Sequence, residues 1–209
     1  MKFKRSITFV ALMLMVSTLF FAQESALEQF EQELKKENTE LSTIKCLFTQ
    51  SRMMSVLADE VNKKGQFYFQ IPGNMLLLFD DGDYIKMTPS RFEIKNAGKV
   101  NTTKVDSNPM LRNLSSILSA CVVGDFSQIS KGFTVIAESI SGEWVVEMIP
   151  RRGKSASKVS KIRVHFDKKD MSLNLLRMEE ESGDYTEYKF YNKQFNTEIE
   201  STLFAEVSE

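Results

Sequence analysis

Few side chains in this sequence could carry catalysis. The chain has one histidine, His165, which lies in the segment Lys161–Asp167 where apolar and polar residues alternate. Because neighbouring residues of a strand point to opposite faces, His165 shares its face with Lys161 and Arg163, away from Ile162. This placement predicts a solvated surface histidine and not a general base.

The other catalytic patterns are absent or weak. The acidic run Glu179–Glu181 could supply paired carboxylates, but adjacent strand residues face opposite ways, so we interpret it as a solvated strand end. The sequence contains no metal-ligand spacing, no Gly-x-Ser-x-Gly elbow and no glycine-rich phosphate loop. We therefore expect no catalytic residues, no metal and no cofactor, and a binding protein in place of an enzyme.

Two cysteines, Cys46 and Cys121, are too few for a disulfide framework. They could pair in an oxidising compartment. Cys46 shares its face with Ile44 and Phe48, and Cys121 ends an apolar helical stripe. We expect two free, buried thiols.

The N-terminus predicts secretion. Three basic residues, an apolar run over Ile7–Phe21 and then Ala22 form a signal peptide at residues 1–22. The apolar run is shorter than the ~20 residues that a bilayer span needs. The mature chain, residues 23–209, is then a single soluble domain in the periplasm. Removal of the leader's three basic residues reduces the 27 basic residues to 24 against 28 acidic ones, which disfavours nucleic acid as a partner.

Hydrophobic periodicity predicts a mainly β domain. Residues 24–41 form an amphipathic helix, with Leu27, Phe30 and Leu34 at helical spacing. About eleven short strands follow, separated by turn residues, which favours an antiparallel barrel or curved sheet. One helix, Pro109–Val122, is inserted after the sixth strand. Its apolar stripe contains Met110, Leu111, Leu114, Ile117 and Leu118.

Three segments carry a resemblance to a known family. Leu41–Gln50 leads into a strand that ends Phe-Thr-Gln, Gly65–Asn74 reads Gly-Gln-Phe-Tyr-Phe-Gln-Ile-Pro-Gly-Asn, and Asp81–Gly82 forms a turn. In this order the segments resemble periplasmic lipoprotein carriers of the LolA type. The order of helices and strands is also similar over the whole mature chain.

The resemblance implies a half-open antiparallel β-barrel with helices as a lid. It further implies a monomer that takes lipid-modified proteins from an inner-membrane release transporter to an outer-membrane acceptor. The sequence departs from the family at Ile71, where members commonly have an arginine that is proposed to hold the lid shut.

A carrier of acyl chains needs a concavity lined by Phe, Leu and Met under a movable cover, and each buried CH₂ contributes about 0.8 kcal/mol. Alternation along the strands gives the residues that we expect to line it: Phe48, Phe67, Phe69, Met75, Leu77, Ile85, Met87, Trp144, Val146, Met148, Ile162, Val164, Phe166 and Met178. The inserted helix is the expected lid.

Three other functions remain open at this point. The same fold could bind or sense free lipid or glycolipid in the periplasm, because a fold does not determine its cargo. A lipid-modifying hydrolase and a structural envelope protein without a ligand are the remaining alternatives.

The leader is directly testable. We expect the mature protein to begin near Gln23 and to fractionate with the soluble periplasmic contents, as N-terminal sequencing and cell fractionation would show. Recovery of an intact Met1 in the membrane fraction would contradict the periplasmic location.

Overall fold

The computed structural model describes residues 26–55, 60–107, 109–151 and 159–205. The predicted leader, residues 1–22, lies outside the described residues. Helix α1 covers residues 26–37 and is extended by a 3-10 turn at Asn38–Glu40. Within the described ranges, helix α2 (Pro109–Val123) separates six strands from five. These strands are β1 (Thr43–Met53), β2 (Val61–Gln70), β3 (Asn74–Phe79), β4 (Tyr84–Met87), β5 (Arg91–Asn96), β6 (Lys99–Lys104), β7 (Phe133–Ile140), β8 (Glu143–Pro150), β9 (Val159–Asp167), β10 (Leu173–Glu180) and β11 (Tyr185–Phe195).

The eleven described strands form one antiparallel sheet in the order β6-β5-β4-β3-β2-β1-β11-β10-β9-β8-β7. Each half of the sheet is a meander, and the pairing of β1 with β11 joins the two halves. β6 and β7 stand at the two ends of this order, and α2 connects them. The sheet is therefore open, which confirms the predicted fold class of an unclosed antiparallel barrel with an N-terminal helix and one inserted helix.

Alternation along the strands places apolar side chains on the inner face of the sheet. On β2, Phe67 and Phe69 point to the same side and lie directly across from Leu77 and Met75 of β3. All four side chains are buried in one packing cluster. Cross-strand pairs of this kind stabilise the sheet. They also make its concave face apolar, so another element must pack against that face to keep it from water.

The buried side chains divide into two clusters. The first, here called the helix-side cluster, joins α1 and α2 to β7, β8 and β9; it includes Phe30, Leu34, Ile117, Phe126, Trp144, Val146, Met148, Ile162, Val164 and Phe166. The second, here called the sheet-side cluster, lies on β1 to β4, β10 and β11; it includes Cys46, Phe48, Phe67, Phe69, Met75, Leu77, Met87, Leu176 and Tyr188. Helix α1 thus covers only one half of the concave face.

Phe30 anchors α1 in the helix-side cluster. Its side chain is 0% exposed, and its ring centroid lies 5.0 Å from that of Phe166, 5.7 Å from that of Trp144 and 5.8 Å from that of Phe126. The Trp144 indole Nε1 donates a hydrogen bond of 2.7 Å to Oε2 of Glu33, one turn further along α1. The buried tryptophan is thereby satisfied, as buried indoles usually are.

The C-terminal end of α2 is fixed to α1. Gly124 ends the helix at φ +73°, and its N–H donates to the Ala120 carbonyl at 2.9 Å. A Cβ at Gly124 would lie 3.1 Å from the Glu31 carbonyl oxygen, so glycine permits this close approach of the two helices. The Asn38 side chain donates to the Val122 carbonyl at 2.8 Å and adds a second link.

A buried ion pair lies on the other half of the sheet. Lys86 Nζ is 3.2 Å from Oε1 of Glu93, and the Tyr84 hydroxyl donates to the same oxygen at 2.5 Å. Lys86 also donates to the Ala205 carbonyl at 3.1 Å, which ties the C-terminal segment to β4. Burial raises the pKa of Glu93, but the hydrogen bonds from Tyr84 and Lys86 outweigh it and leave the pKa below 4.5.

This ion pair predicts an acid-sensitive contribution to stability. Because the folded state lowers the Glu93 pKa, the contribution is present above pH 4.5 and is lost as the pH falls below that value. We expect Glu93→Gln to lower the free energy of unfolding at pH 7 by about 3 kcal/mol, since it leaves the Lys86 ammonium buried without a counter-charge. Urea unfolding between pH 3 and pH 7, with ~1 unit steps, would measure both effects.

The exposed Glu138 offers the matched control, Glu138→Gln, which should change neither the stability nor its pH dependence by much. A Glu93→Gln variant with the wild-type stability and the wild-type acid dependence would show that the pair contributes nothing.

Candidate functional site

An apolar cleft lies where α1 leaves the concave face uncovered. Its floor consists of side chains from β1, β2 and β11, including Ile44, Cys46, Phe67, Phe69 and Phe190. Its roof is α2, which contributes Leu118, Cys121 and Val122. The free space amounts to about 580 Å³, part of which is open to solvent. The cavity volume itself is only about 50 Å³, so a ligand larger than a few atoms needs the cleft to widen.

Leu118 separates this cleft from a second one. The second cleft, with about 460 Å³ of free space including its open mouth, is lined by Phe69, Pro72, Met75, Met87 and Leu118, among others. Phe69 of the sheet and Leu118 of α2 thus border both clefts.

The first cleft has a polar rim at one place. Lys193 of β11 lines it, and its ammonium donates to the Ser172 hydroxyl at 2.7 Å and to Oδ1 of Asn174. Burial lowers the pKa of Lys193, and the charge of Asp170 acts in the opposite direction. The rim therefore carries a partly desolvated cation beside an apolar space.

A β-bulge places Lys193 at the cleft. By simple alternation from Tyr188 and Phe190, position 193 would face outward, but the β1–β11 register shifts between Lys45 and Leu47. Asn192 takes up the shift with φ +55°. The next pair, Ile44 with Phe195, again lines the cleft, and Lys193 falls on the same side. Sequence reasoning missed Lys193, and its one signal is an asparagine, a residue that tolerates positive φ, within the strand.

Both cysteines line the cleft as buried free thiols, as the sequence predicts. Burial raises the pKa of each thiol to about 12, and for Cys46 the nearby Lys193 acts weakly in the other direction. At neutral pH both thiols are therefore protonated and behave as small apolar groups.

The residues predicted to line an acyl cavity separate into three groups. Phe67 and Phe69 line the first cleft, and Met75 and Met87 line the second together with Phe69. Four others, Phe48, Leu77, Ile85 and Met178, belong to the sheet-side cluster or pack against it. The remaining six are buried in the helix-side cluster: Trp144, Val146, Met148, Ile162, Val164 and Phe166.

Helix α2 is positioned as a cover, and the two residues of its predicted apolar stripe whose side chains are described differ. Ile117 is 2% exposed in the helix-side cluster, whereas Leu118 is partly buried and borders both clefts. The side chains of Met110, Leu111 and Leu114 lie outside the described part of the structure. Ile71, at the position where the resemblance implies an arginine in family members, is 41% exposed, and its backbone N–H donates to the Ser42 carbonyl at 3.0 Å.

His165 lies away from the cleft. It follows the alternation of β9 and faces the opposite side of the sheet from Val164 and Phe166, with Nδ1 2.9 Å from Oε2 of Glu143. Glu179 pairs with Arg177 at 3.0 Å. Within the described ranges, no group of three or more His, Cys, Asp or Glu side chains could hold a metal ion. Nor does any described helix have the length and apolar character needed to cross a bilayer.

An open antiparallel sheet, helices over its concave face and an apolar cleft between them define an open β half-barrel. The chain belongs to the family described as "Outer membrane lipoprotein carrier protein LolA", whose model matches residues 39–206. A comparison with curated proteins gives no significant match.

Two solved structures show the same fold. A domain assigned to outer membrane lipoprotein sorting from Vibrio parahaemolyticus has 15% sequence identity and a TM-score of 0.50, and the match covers 87% of this chain and 96% of that one. An uncharacterised conserved protein from Thermus thermophilus has 8% identity and a TM-score of 0.52, with 87% and 94% covered. At these identities the likeness concerns the fold alone.

The contrast between Leu118 and Ile117 provides a test of the cleft. We expect Leu118→Gln to weaken binding of the uncharged lipid probe N-phenylnaphthylamine several-fold with a modest loss of stability, because the polar side chain enters the apolar space. Ile117→Ala should lower the free energy of unfolding by about 2–5 kcal/mol, since it leaves a cavity in a packed cluster. Probe fluorescence and urea unfolding would be measured on both variants.

Folded Ile117→Ala protein should bind the probe as the wild type does. If Leu118→Gln destabilises the protein as strongly as Ile117→Ala and its folded fraction binds normally, α2 is ordinary core packing and does not cover a binding site.

Proposed function

We propose that this protein is a periplasmic carrier that shelters the acyl chains of lipid-modified proteins between the inner and the outer membrane. The observation that carries the proposal is the apolar cleft between α2 and the concave sheet face. Membership of the family of outer membrane lipoprotein carriers supports the same function.

The lining of the cleft suits an acyl chain. Aliphatic, aromatic and thiol groups make up its floor and roof, and the described polar side chains are Asn38, Ser172 and Lys193. Binding of a hydrocarbon chain needs no directional contact, because each buried CH₂ contributes about 0.8 kcal/mol. Some ten buried methylenes would therefore be enough to hold a cargo, before the cost of ordering the chain is subtracted.

The two clusters suggest how the carrier opens. The C-terminal end of α2 is tied to α1 by the bond from Asn38 to Val122 and by the close approach at Gly124. Over the cleft, by contrast, α2 contacts the sheet through Leu118, which lies one turn before the tied end and packs against the sheet-side cluster. We propose that α2 tilts about its tied end and lets an acyl chain replace these apolar contacts.

This opening accounts for the isoleucine at position 71. A lid held by apolar contacts exchanges one hydrocarbon surface for another when cargo enters, so it needs no arginine bond to be broken. Release would then depend on a competing apolar surface, which we assign to the outer-membrane acceptor. Loading would depend on the inner-membrane release transporter. Phe195, which lines the cleft and is partly exposed, is a contact point for such a partner.

The cargo can be identified directly. We expect protein purified from the periplasm of a Gram-negative host to carry lipid-modified peptides, and extraction followed by mass spectrometry should recover N-terminal triacylated fragments. The Leu118→Gln variant should retain less of this material, with a Glu138→Gln preparation as the matched control.

Recovery of free phospholipid alone, with no lipid-modified peptide, would contradict the lipoprotein carrier and favour a free-lipid binding protein. A ligand-free protein that also fails to bind N-phenylnaphthylamine would refute acyl-chain binding altogether.

A further inference from the structure

The pairing of β10 with β11 ends before the cleft does. The two strands are hydrogen-bonded from Leu175–Lys189 to Glu179–Tyr185. Beyond Lys189, β11 continues to Phe195 and pairs only with β1 in the described residues. Met171, Ser172 and Leu173, which precede or begin β10, line the cleft opposite Lys193 and Phe195. This gap in the strand pairing, between the start of β10 and the end of β11, is here called the mouth of the cleft.

Lys193 is the cation at this mouth. The bulge at Asn192 turns its side chain to the cleft side of β11, and the ammonium reaches across to Ser172 and Asn174. Both of these partners are neutral. Among the described residues, no carboxylate lies within 4.0 Å of the ammonium, although Lys63, Lys86 and Lys161 each have such a partner.

Further hydrogen bonds position Ser172 and Asn174, the two residues that accept hydrogen bonds from Lys193. The amide of Asn174 donates through Nδ2 to Oε1 of Glu143 at 3.1 Å, so its Oδ1 faces Lys193. The backbone N–H of Ser172 is bonded to Oδ1 of Asp170 at 3.0 Å. Two of the three ammonium protons are thereby placed, and one remains for a further acceptor.

From this geometry we infer that the cleft binds acyl chains that end in an anionic oxygen, with the head group at Lys193 and the chain under Leu118. The inference rests on the proposed acyl-chain binding and adds a head-group site to it. Asp170, Asp167 and Glu143 act on the ammonium through their charge, but none of them lies within 4.0 Å of it. A carboxylate or phosphate oxygen that took the third proton of Lys193 would therefore be the first charged group in direct contact with it. The chain would then run from the mouth toward Phe67 and Phe69.

Because the Lys193 ammonium is partly removed from water, its contact with a head group would distinguish charged from uncharged ligands. A charged hydrogen bond in a partly buried place discriminates strongly against an uncharged head group, because the neutral ligand leaves the ammonium without its third acceptor. Ligands that share one chain and differ only in the head therefore separate the effect of Lys193 from that of the apolar lining.

The experiment uses protein produced from the full-length sequence and measures displacement of N-phenylnaphthylamine. One pair of competitors is palmitate and hexadecanol; the other is palmitoyl lysophosphatidate and monopalmitoylglycerol. In the wild type we expect each anionic ligand to bind at least about tenfold more tightly than its neutral partner. The pair with the larger difference identifies the source of the anionic oxygen, carboxylate or phosphate.

Three variants assign the effect to one side chain. Lys193→Met removes the charge and keeps an apolar stem, so the anionic ligands should lose about tenfold in affinity while the neutral ones change less than about twofold. Lys193→Arg should keep the preference. Lys189→Met, four residues earlier on β11 and with a side chain that is 62% exposed, should behave as the wild type.

Thermal unfolding of each variant checks that the fold is intact. If the wild type binds both members of each pair equally, or if Lys193→Met weakens both members equally, Lys193 is a structural brace and the head-group site is refuted while acyl-chain binding stands. If the wild type binds none of the ligands, the proposed function fails together with this inference.

Discussion

The structure depends on how the apolar concave face of one open sheet is covered. Eleven antiparallel strands present Phe, Leu, Met and Val side chains on this face, and an open sheet cannot close on itself to bury them. Helix α1 covers one half, where Phe30 and Leu34 are fully buried. Among the described residues, the other half is covered mainly by α2, with Asn38 and Leu41 after α1 at its edge. The cleft exists because the apolar face of the sheet is wider than the area that α1 and α2 together cover.

This division gives the two halves of the sheet different roles. Over β7, β8 and β9, tilted aromatic contacts and the bond from Trp144 to Glu33 fix α1 in place. Such packing tolerates little change in shape. Over β1 and β2, the contacts of α2 are aliphatic and lack hydrogen bonds to the sheet in the described residues. Under the proposed function, the tightly packed half of the structure holds the C-terminal end of α2 in place. Helix α2 then pivots about that end over the other half of the sheet.

Much of the fold could be predicted from the sequence, because helical and alternating periodicities are local properties. The eleven strands, both helices and the outward face of His165 follow from these patterns. The extent of the cleft does not. Alternation identifies Trp144 and Phe67 as equally inward, yet only contact with α1 decides that Trp144 is packed core and Phe67 lines the cleft. The same reasoning misplaces Lys193, because one bulge residue reverses the alternation after it.

The energetics of the cover follow from its chemistry. If hydrogen bonds held the lid, they would have to break before cargo entered. The free-energy cost of breaking them would be the same for every ligand. Under the proposed function, a lid held by Leu118 loses contact in proportion to the surface that it uncovers, and an acyl chain would restore contact in the same proportion. The free energy of loading is then a small difference between two similar apolar terms. Under the proposed function, such a small difference would let a partner with a slightly better apolar surface take the cargo. It would also make a polar contact at the mouth, such as the proposed one of Lys193, decisive for which chain is retained.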